Sequence, residues 1–377
     1  MTIKFKGEQK EIKRGLEIVT KALSKKEVLP ITKGVYVKVE DNKMDLMCNN
    51  LEISIEKQIA VEVEKGGAFV APGQSFYNII RELPSGEVNI SVNDNKEINI
   101  TAQNSDFTLK GFDAKEFPQT PEVEAESQIT VPTELLLEKI NKVVFAASND
   151  ETQPALNGVL FEIGQKQITL VATNTYRLAY AKAKIEANND IDKEISKIIP
   201  QDTMKGLSKV IDNEEKITIN VGESYISFTA NNQGRLRFTS RIIEGNFPNY
   251  KQVIPQNKNI SVKVDKVSFQ QAVKRAYLIA KQDSGVGSLK CDTEKEKLFL
   301  NSTQDSGSVH EEIAMNDFKG DTVNIDFDLS YIEQALKTIT KENINIELIG
   351  PINPLVIKEE DNDDYFYLVM PVRPNAI

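Results

Sequence analysis

IKFKGEQKEIKRGLEIVTKAL, residues 3–23, followed after a short break by GVYVKVEDNKMDLMC at 34–48, is the stretch that decides the fold. Its first five residues alternate apolar and polar as a half-buried strand does. Ile12, Leu16, Val19 and Leu23 then recur at the spacing of one helix face. The second string is two alternating runs around the polar turn EDNK, the pattern of an antiparallel hairpin. The same order returns about 125 residues later. ITVPT at 129–133 precedes a helix with Leu136, Ile140, Val143 and Ala147, and ISVKV at 260–264 precedes one with Phe269, Val273, Ala276 and Ala280. GVLFEIGQKQITLVA from Gly158 and GSLKCDTEKEKLFLN from Gly287 are the matching hairpins.

A second helix is expected in each copy, carrying Phe76, Ile79, Ile80 and Leu83, then Met204, Leu207 and Val210, then Ile332, Ala335, Leu336 and Ile339. Each copy is therefore itself a doubled β-α-β-β-β motif. The fold class is α+β, with three domains at 1–124, 125–255 and 256–377, each large enough to bury a core of its own. A period this long is outside the 20 to 50 residues of solenoid repeats. PQTPEVEAESQ at 118–128 and QVIPQNKNI at 252–260 are the expected linkers.

No apolar run approaches 18 residues, and MTIKFKGEQK lacks the apolar core of a secretory signal, so a cytoplasmic location without membrane insertion is expected. Cys48 and Cys291 stand alone, without a CxxC spacing, and read as reduced, buried thiols.

Net charge is −10, which argues against nucleic-acid binding until its distribution is considered. Residues 8–26 carry Lys10, Lys13, Arg14, Lys21, Lys25 and Lys26 against Glu8, Glu11 and Glu17. Residues 265–281 carry Lys266, Lys274, Arg275 and Lys281 against Asp265, and 201–210 carry Lys205 and Lys209 against Asp202. The middle copy's first helix is neutral and the two other second helices are near zero, so the helices are basic only in sum, and the remainder is strongly acidic. A positive helix side and an acidic strand side follow if the helices share one side; charge alone fits a solvated helix face equally well.

Catalytic constellations are missing. His310 is the single histidine and has no neighbouring histidine or cysteine for a zinc site or a triad. There is no phosphate-binding GxxxxGK[ST] loop, and GVGSLK at 285–290 reads as a turn entering a strand. Glu359, Glu360, Asp361, Asp363 and Asp364 read as a solvated hairpin loop sooner than as a metal site. No enzyme activity and no cofactor are expected.

LNGVLFEI at 156–163, TNTYRLA at 173–179, SRIIEGNFPNY at 240–250 and LVMPVRP at 368–374 resemble the bacterial DNA polymerase III beta subunit family, the beta sliding clamps. The resemblance runs along the whole chain in the family's order. It implies a homodimeric ring with helices lining a central hole and sheets outside, loaded onto duplex DNA by a clamp loader and tethering the polymerase and other replication and repair proteins. Lys10, Lys13, Arg14, Lys21, Lys25, Lys26, Lys142, Lys205, Lys209, Lys274 and Arg275 are the candidate lining residues; only Lys26 matches a family DNA-contacting position, and the others are placed by helix and charge. The family's peptide groove would here use Leu156, Thr173, Thr175, Tyr176, Arg177, Leu178, Pro248, Val253, Tyr331, Pro354, Leu368, Met370, Pro371, Val372 and Arg373. Without the resemblance, Leu156, Leu178, Leu368 and Met370 read as ordinary core. Phe107 and Leu109, facing Leu278 and Ile279 of a second copy, match the family's dimer contact.

This chain departs from the family at several points. Asn174 and Thr175 stand where the family carries Asp and then Gly or Ser, and a β-branched residue there is expected to reshape the groove floor. Gln252 replaces a basic residue found in some members, and the tail runs four residues past Arg373. Two other readings remain: a paralogue with a retuned groove, and an enzyme built on the carboxylates at 361–364.

Overall fold

The computed structural model describes residues 2–24, 29–186, 194–211, 214–231 and 234–372. The chain divides into two compact units, one of residues 1–136 and 205–242, the other of 137–204 and 243–377.

The doubled motif is present three times. The first copy runs β1 (Ile3–Glu8), α1 (Gln9–Val19), β2 (Gly34–Glu40), β3 (Lys43–Asn49), β4 (Ile53–Ala60) and a short β5 (Glu62–Lys65), then β6 (Gly67–Pro72), α2 (Gly73–Glu82), β7 (Glu87–Val92), β8 (Glu97–Ala102) and β9 (Ser105–Lys110). The second runs β10 (Ser127–Pro132), α3 (Thr133–Val143), β11 (Gly158–Ile163), β12 (Gln167–Thr173) and β13 (Arg177–Lys184), then β14 (Ile195–Pro200), α4 (Gln201–Ser208), β15 (Lys216–Val221), β16 (Tyr225–Ala230) and β17 (Leu236–Arg241). The third runs β18 (Ile260–Asp265), α5 (Lys266–Ala280), β19 (Val286–Asp292), β20 (Lys297–Gln304), β21 (Gly307–Ala314) and a three-residue β22 (Asp317–Lys319), then β23 (Val323–Asp328), α6 (Leu329–Leu336), β24 (Asn343–Leu348), β25 (Leu355–Glu359) and β26 (Tyr365–Val369).

Local chemistry accounts for these boundaries. The β2–β3 hairpin turns on Asp41 and Asn42, both at positive φ, the backbone that a two-residue turn needs and that Asx side chains tolerate. α5 starts where Asp265 accepts a hydrogen bond from the Ser268 N–H at 2.7 Å, and α6 where Asp328 accepts from the Ser330 N–H at 2.9 Å, so each cap satisfies an otherwise orphaned donor. The expected stripes are buried: Ile12, Leu16 and Val19 in α1, Ile140 and Val143 in α3, and Phe269, Val273, Ala276 and Ala280 in α5.

In the first unit a five-stranded sheet has the order β5-β1-β7-β8-β9, and an eight-stranded sheet the order β10-β15-β16-β17-β4-β3-β2-β6. In the second, a nine-stranded sheet runs β14-β11-β12-β13-β26-β25-β24-β18-β22 and a four-stranded sheet β21-β20-β19-β23. All pairings are antiparallel, so strands of separate motifs join through β4 and β17 in one unit and through β13 and β26 in the other. Both cysteines are free and buried; burial pushes the Cys291 thiol up to about 11, with Asp292 adding to it, which leaves a weak nucleophile.

Candidate functional site

The candidate groove residues gather around β13 and β26 of the second unit. Leu178 pairs with Leu368 and Tyr180 with Phe366, so strand alternation puts these four on one sheet face and Arg177, Ala179 and Tyr367 on the other. On the first face Leu178 and Leu368 join Leu160, Val171, Ile198, Tyr250 and Val356 in one buried cluster, against which Ile243, Phe247, Ile254 and Phe366 pack. Tyr180 stacks on Phe366 with ring centres 4.7 Å apart. The Tyr250 hydroxyl donates to Glu162 at 2.8 Å; burial first, and that carboxylate second, push its pKa above the usual tyrosine value.

Arg177 is buried on the opposite face. Its guanidinium lies 4.6 Å from the Tyr331 ring centre and 5.6 Å from that of Phe145, and it donates to Gln334 Oε1 at 2.9 Å and to the Phe145 carbonyl at 2.5 Å. Its aromatic and hydrogen-bonded partners show that Arg177 anchors β13 instead of lining an exposed surface. Leu156 and Thr173 are buried as well.

The exposed residues come from the connecting segments. Asn174 Oδ1 accepts from the N–H groups of Tyr176 and Arg177, both at 3.1 Å, closing an Asx-type turn. Within it Thr175 sits at φ 76° and Tyr176 is left 64% exposed. The Met370 N–H donates to the Tyr176 carbonyl at 2.8 Å and the Val372 N–H to Asp326 at 2.8 Å, while the Leu355–Val369 pairing brings Pro354 to the same end of the sheet. Met370, Val372, Val253 and Pro248 are exposed; Tyr331, Pro354 and Pro371 are half-buried. Arg373 lies outside the described residues. Exposed Tyr176 and Met370 are thus joined at the end of the β13–β26 pair, whose one face carries the buried apolar cluster.

Among the basic candidates, Lys10 and Arg14 of α1 are exposed and Lys13 half-buried; Lys21 donates to the Lys209 carbonyl, and Lys205 and Lys209 are exposed. Lys274 is exposed on α5, and Arg275 beside it is held by Glu311 through two hydrogen bonds of 2.7 and 2.6 Å. Lys142 corrects the expectation: it is buried, its ammonium 2.7 Å from Glu359, 3.0 Å from Glu138 and 5.1 Å from the Tyr365 ring centre, so it cannot present charge to a ligand. Lys25 and Lys26 lie outside the described residues.

Phe107, 40% exposed, and the half-buried Leu109 lie on β9, the last strand of its sheet. Leu278, 52% exposed, and half-buried Ile279 lie on α5. No group of three or more His, Cys, Asp or Glu side chains is arranged to hold a metal among the described residues. Glu359 of the expected acidic loop is instead the buried partner of Lys142.

Comparison with known proteins decides the family. The DNA polymerase III beta subunit models match in succession, the N-terminal domain over 3–121, the central domain over 130–249 and the C-terminal domain over 251–373. The chain belongs to the DNA polymerase III beta subunit family, the beta sliding clamps. The beta sliding clamp of Staphylococcus epidermidis is 33% identical over 363 residues, 94% of each chain, and that of Staphylococcus aureus 32% identical over the same share. The DNA polymerase sliding clamp of Bacillus subtilis superimposes with a TM-score of 0.94 at 30% identity, covering 99% of this chain and all of its own; the beta subunit of Thermotoga maritima gives 0.91 at 29%. The three-domain clamp fold, mixed α+β with mostly antiparallel sheets, is thereby established.

In this beta-clamp chain Thr175, a β-branched residue, occupies left-handed backbone that glycine adopts without cost. The chain also carries a feature that sequence reasoning missed. A cavity of about 320 Å³ lies among Ile254, Lys258, Glu347, Pro354, Val356 and Phe366. Glu347, nearly buried, accepts from Lys258 at 2.5 Å and lies 3.0 Å from Lys358. The period-two alternation of Leu178–Tyr180 and Phe366–Leu368 was the available signal for this face, but nothing local linked it to residues 243–258.

Proposed function

We propose that the chain is the processivity subunit of a replicative DNA polymerase: two copies close head to tail into a ring that encircles duplex DNA without reading its sequence. A loader opens one interface, the ring closes on the duplex, and partners attach through a short peptide laid on the shelf of Tyr176, Val253, Met370 and Val372. The subunit itself performs no chemistry, needs no cofactor and works in the cytoplasm on the nucleoid. The domains of this reading are 1–124, 125–255 and 256–377.

The observation that carries it is the succession of three beta-subunit segments along a chain similar over its full length to beta sliding clamps. Physical features support the parts. Exposed Lys10, Arg14, Lys205, Lys209 and Lys274 suit loose, sequence-independent phosphate contact, which holds a duplex yet lets the ring slide. β9 and β21 end their sheets with free edges, and joining β9 of one copy to β21 of another would cover both and meet Phe107 and Leu109 with Leu278 and Ile279. Tethering raises the polymerase's effective concentration at the template without any change in its chemistry.

Binding of a fluorescent peptide bearing an apolar clamp-binding motif, measured beside solution mass, tests the reading. Micromolar binding that Met370→Ala weakens at least tenfold, in a protein of dimer mass, is expected. A dimer that ignores the peptide would overturn the tethering part and favour a paralogue with a retuned groove.

A further inference from the structure

Each copy of the motif contains one row of cross-strand partners that ends at an equivalent residue. In the first copy Phe112 bridges to Val70, which lies opposite Tyr36; Tyr36 lies opposite Met47, and Met47 opposite Glu56. In the second, Ile243 bridges to Ile198, and Leu160, Val171 and Tyr180 follow. In the third, the Val372 N–H donates to the Asp326 carbonyl, and Ser288, Asn301 and His310 follow. Glu56, Tyr180 and His310 therefore hold the same place.

Two of these rows continue onto the last strand of the next copy. Glu56 pairs with Arg237 and Tyr180 with Phe366, each partner standing six residues before the one that bridges its own row, Ile243 or Val372. The side chains match at both joins: Arg237 donates twice to Glu56 Oε1, at 3.0 and 2.6 Å, and Tyr180 stacks on Phe366. The backbone repeats as well, with the Arg241 N–H on the Glu52 carbonyl at 2.9 Å and the Met370 N–H on the Tyr176 carbonyl at 2.8 Å. The third row stops at His310, because β21 is a sheet edge. The remaining last strand is β9, also an edge, and six residues before Phe112 it carries Asp106.

We infer that two copies join in this same register, with His310 of one directly opposite Asp106 of the other, so that closure responds to protonation of His310. The inference rests on the ring reading above and adds to it a register and a titrating pair. Burial supports the register. It sets Phe107 opposite Val309 on the face where Glu311 meets Arg275 of α5, the helix that carries Leu278 and Ile279, and leaves His310 and Asp106 on the other face. A slip of one residue would reverse every side chain.

His310 is exposed and stacks on Phe299 with ring centres 5.5 Å apart; its Nδ1 lies 2.5 Å from Asn301 Oδ1 and its Nε2 3.5 Å from Glu312. Glu312 is shared with Lys297, and Lys295 lies 5.5 Å from the Phe299 ring centre, while Glu311 is held by Arg275 on the opposite face. Closure adds Asp106 as a second carboxylate. An imidazolium opposite an aspartate is an attractive cross-strand pair, whereas a neutral imidazole gains little. Association should therefore tighten as pH falls through about 6.5 and loosen as it rises. A closed ring holds the pair twice, so at about threefold each the dimer dissociation constant changes about tenfold. His310 is the single histidine, and no other side chain at its ordinary pKa changes charge between about pH 5.5 and 8.

The test is sedimentation equilibrium of the full chain at about pH 5.5 and about pH 8, with oxidative cross-linking of cysteine pairs to read the register. Wild type should associate about tenfold more tightly at the lower pH. His310→Asn and Asp106→Asn should each remove that difference, and His310→Arg should hold the tight state at both values. Opposed Cα atoms on antiparallel strands lie about 5.5 Å apart at their widest, within disulfide reach, so His310→Cys with Asp106→Cys should give a covalent dimer. His310→Cys with Phe107→Cys, on opposite faces, should not. A dimer that fails to cross-link at 106 and 310 overturns the register and leaves the ring standing. A pH response that persists in His310→Asn or Asp106→Asn overturns the titrating pair, as does a cross-linked dimer with no pH response. Wild type that stays monomeric at both values sinks the ring reading and this inference with it.

Discussion

The Lys142 ammonium lies 2.7 Å from a Glu359 carboxylate oxygen, and both side chains are almost completely withdrawn from water. A buried pair of this kind contributes little over an apolar replacement of both partners, yet removing one leaves an uncompensated charge. Lys142→Met should therefore cost about 3 kcal/mol, and the double variant Lys142→Met with Glu359→Leu should recover most of it. Chemical denaturation of the three proteins checks this. Equal losses in the single and double variants would show that the pair is net favourable.

Thr175 holds left-handed backbone in the turn that exposes Tyr176. Thr175→Gly should relieve about 1 kcal/mol of local strain. The groove should also tighten its grip on a clamp-binding peptide, since the turn can then settle without a branched side chain. A denaturation midpoint that falls in Thr175→Gly would mean that the hydrogen bond from the Thr175 N–H to Thr173 Oγ1, at 3.2 Å, depends on the threonine.

Leu278 and Ile279 carry the apolar side of the proposed contact between copies. Replacing them together, Leu278→Ala with Ile279→Asp, should give a folded monomer by sedimentation at micromolar concentration, because an aspartate in an apolar interface has no partner. A dimer that survives unchanged would exclude this contact.

Glu347 tests the acid limit of the second unit. Desolvation raises its pKa, but hydrogen bonds from Lys258 and Lys358 outweigh it, and the net shift is downward. A carboxyl depressed in the folded state contributes stability above its unfolded pKa and loses it as pH falls through the folded one. Melting temperature should therefore decline as pH drops below about 4.5, and Glu347→Gln should flatten part of that decline while lowering stability at pH 7. Parallel pH profiles for the two proteins would show that Glu347 is not involved.

Periodicity alone determined a great deal. The three copies, the helix stripes and the hairpins at Gly34, Gly158 and Gly287 were legible because each is fixed by residues close in the chain, through backbone hydrogen bonds and one buried face. Family strings added the expectation of a groove, and TNTYRLA contains the turn that exposes Tyr176. Only the tertiary structure decided which charges are available. Lys142 looked like its basic neighbours on other helices until Glu359, 217 positions away, was brought against it. Arg177 sits next to Leu178 in sequence, but strand alternation turns it to the opposite face, between Tyr331 and Phe145. Lys57 reads as an ordinary polar position of an alternating strand, yet it is only 4% exposed and donates to the carbonyl of Gly234, 177 positions away. The division has one physical reason. Local hydrogen bonding and burial periodicity write themselves into neighbouring residues, whereas the solvation and pairing of a charge depend on groups that meet only when distant segments fold together.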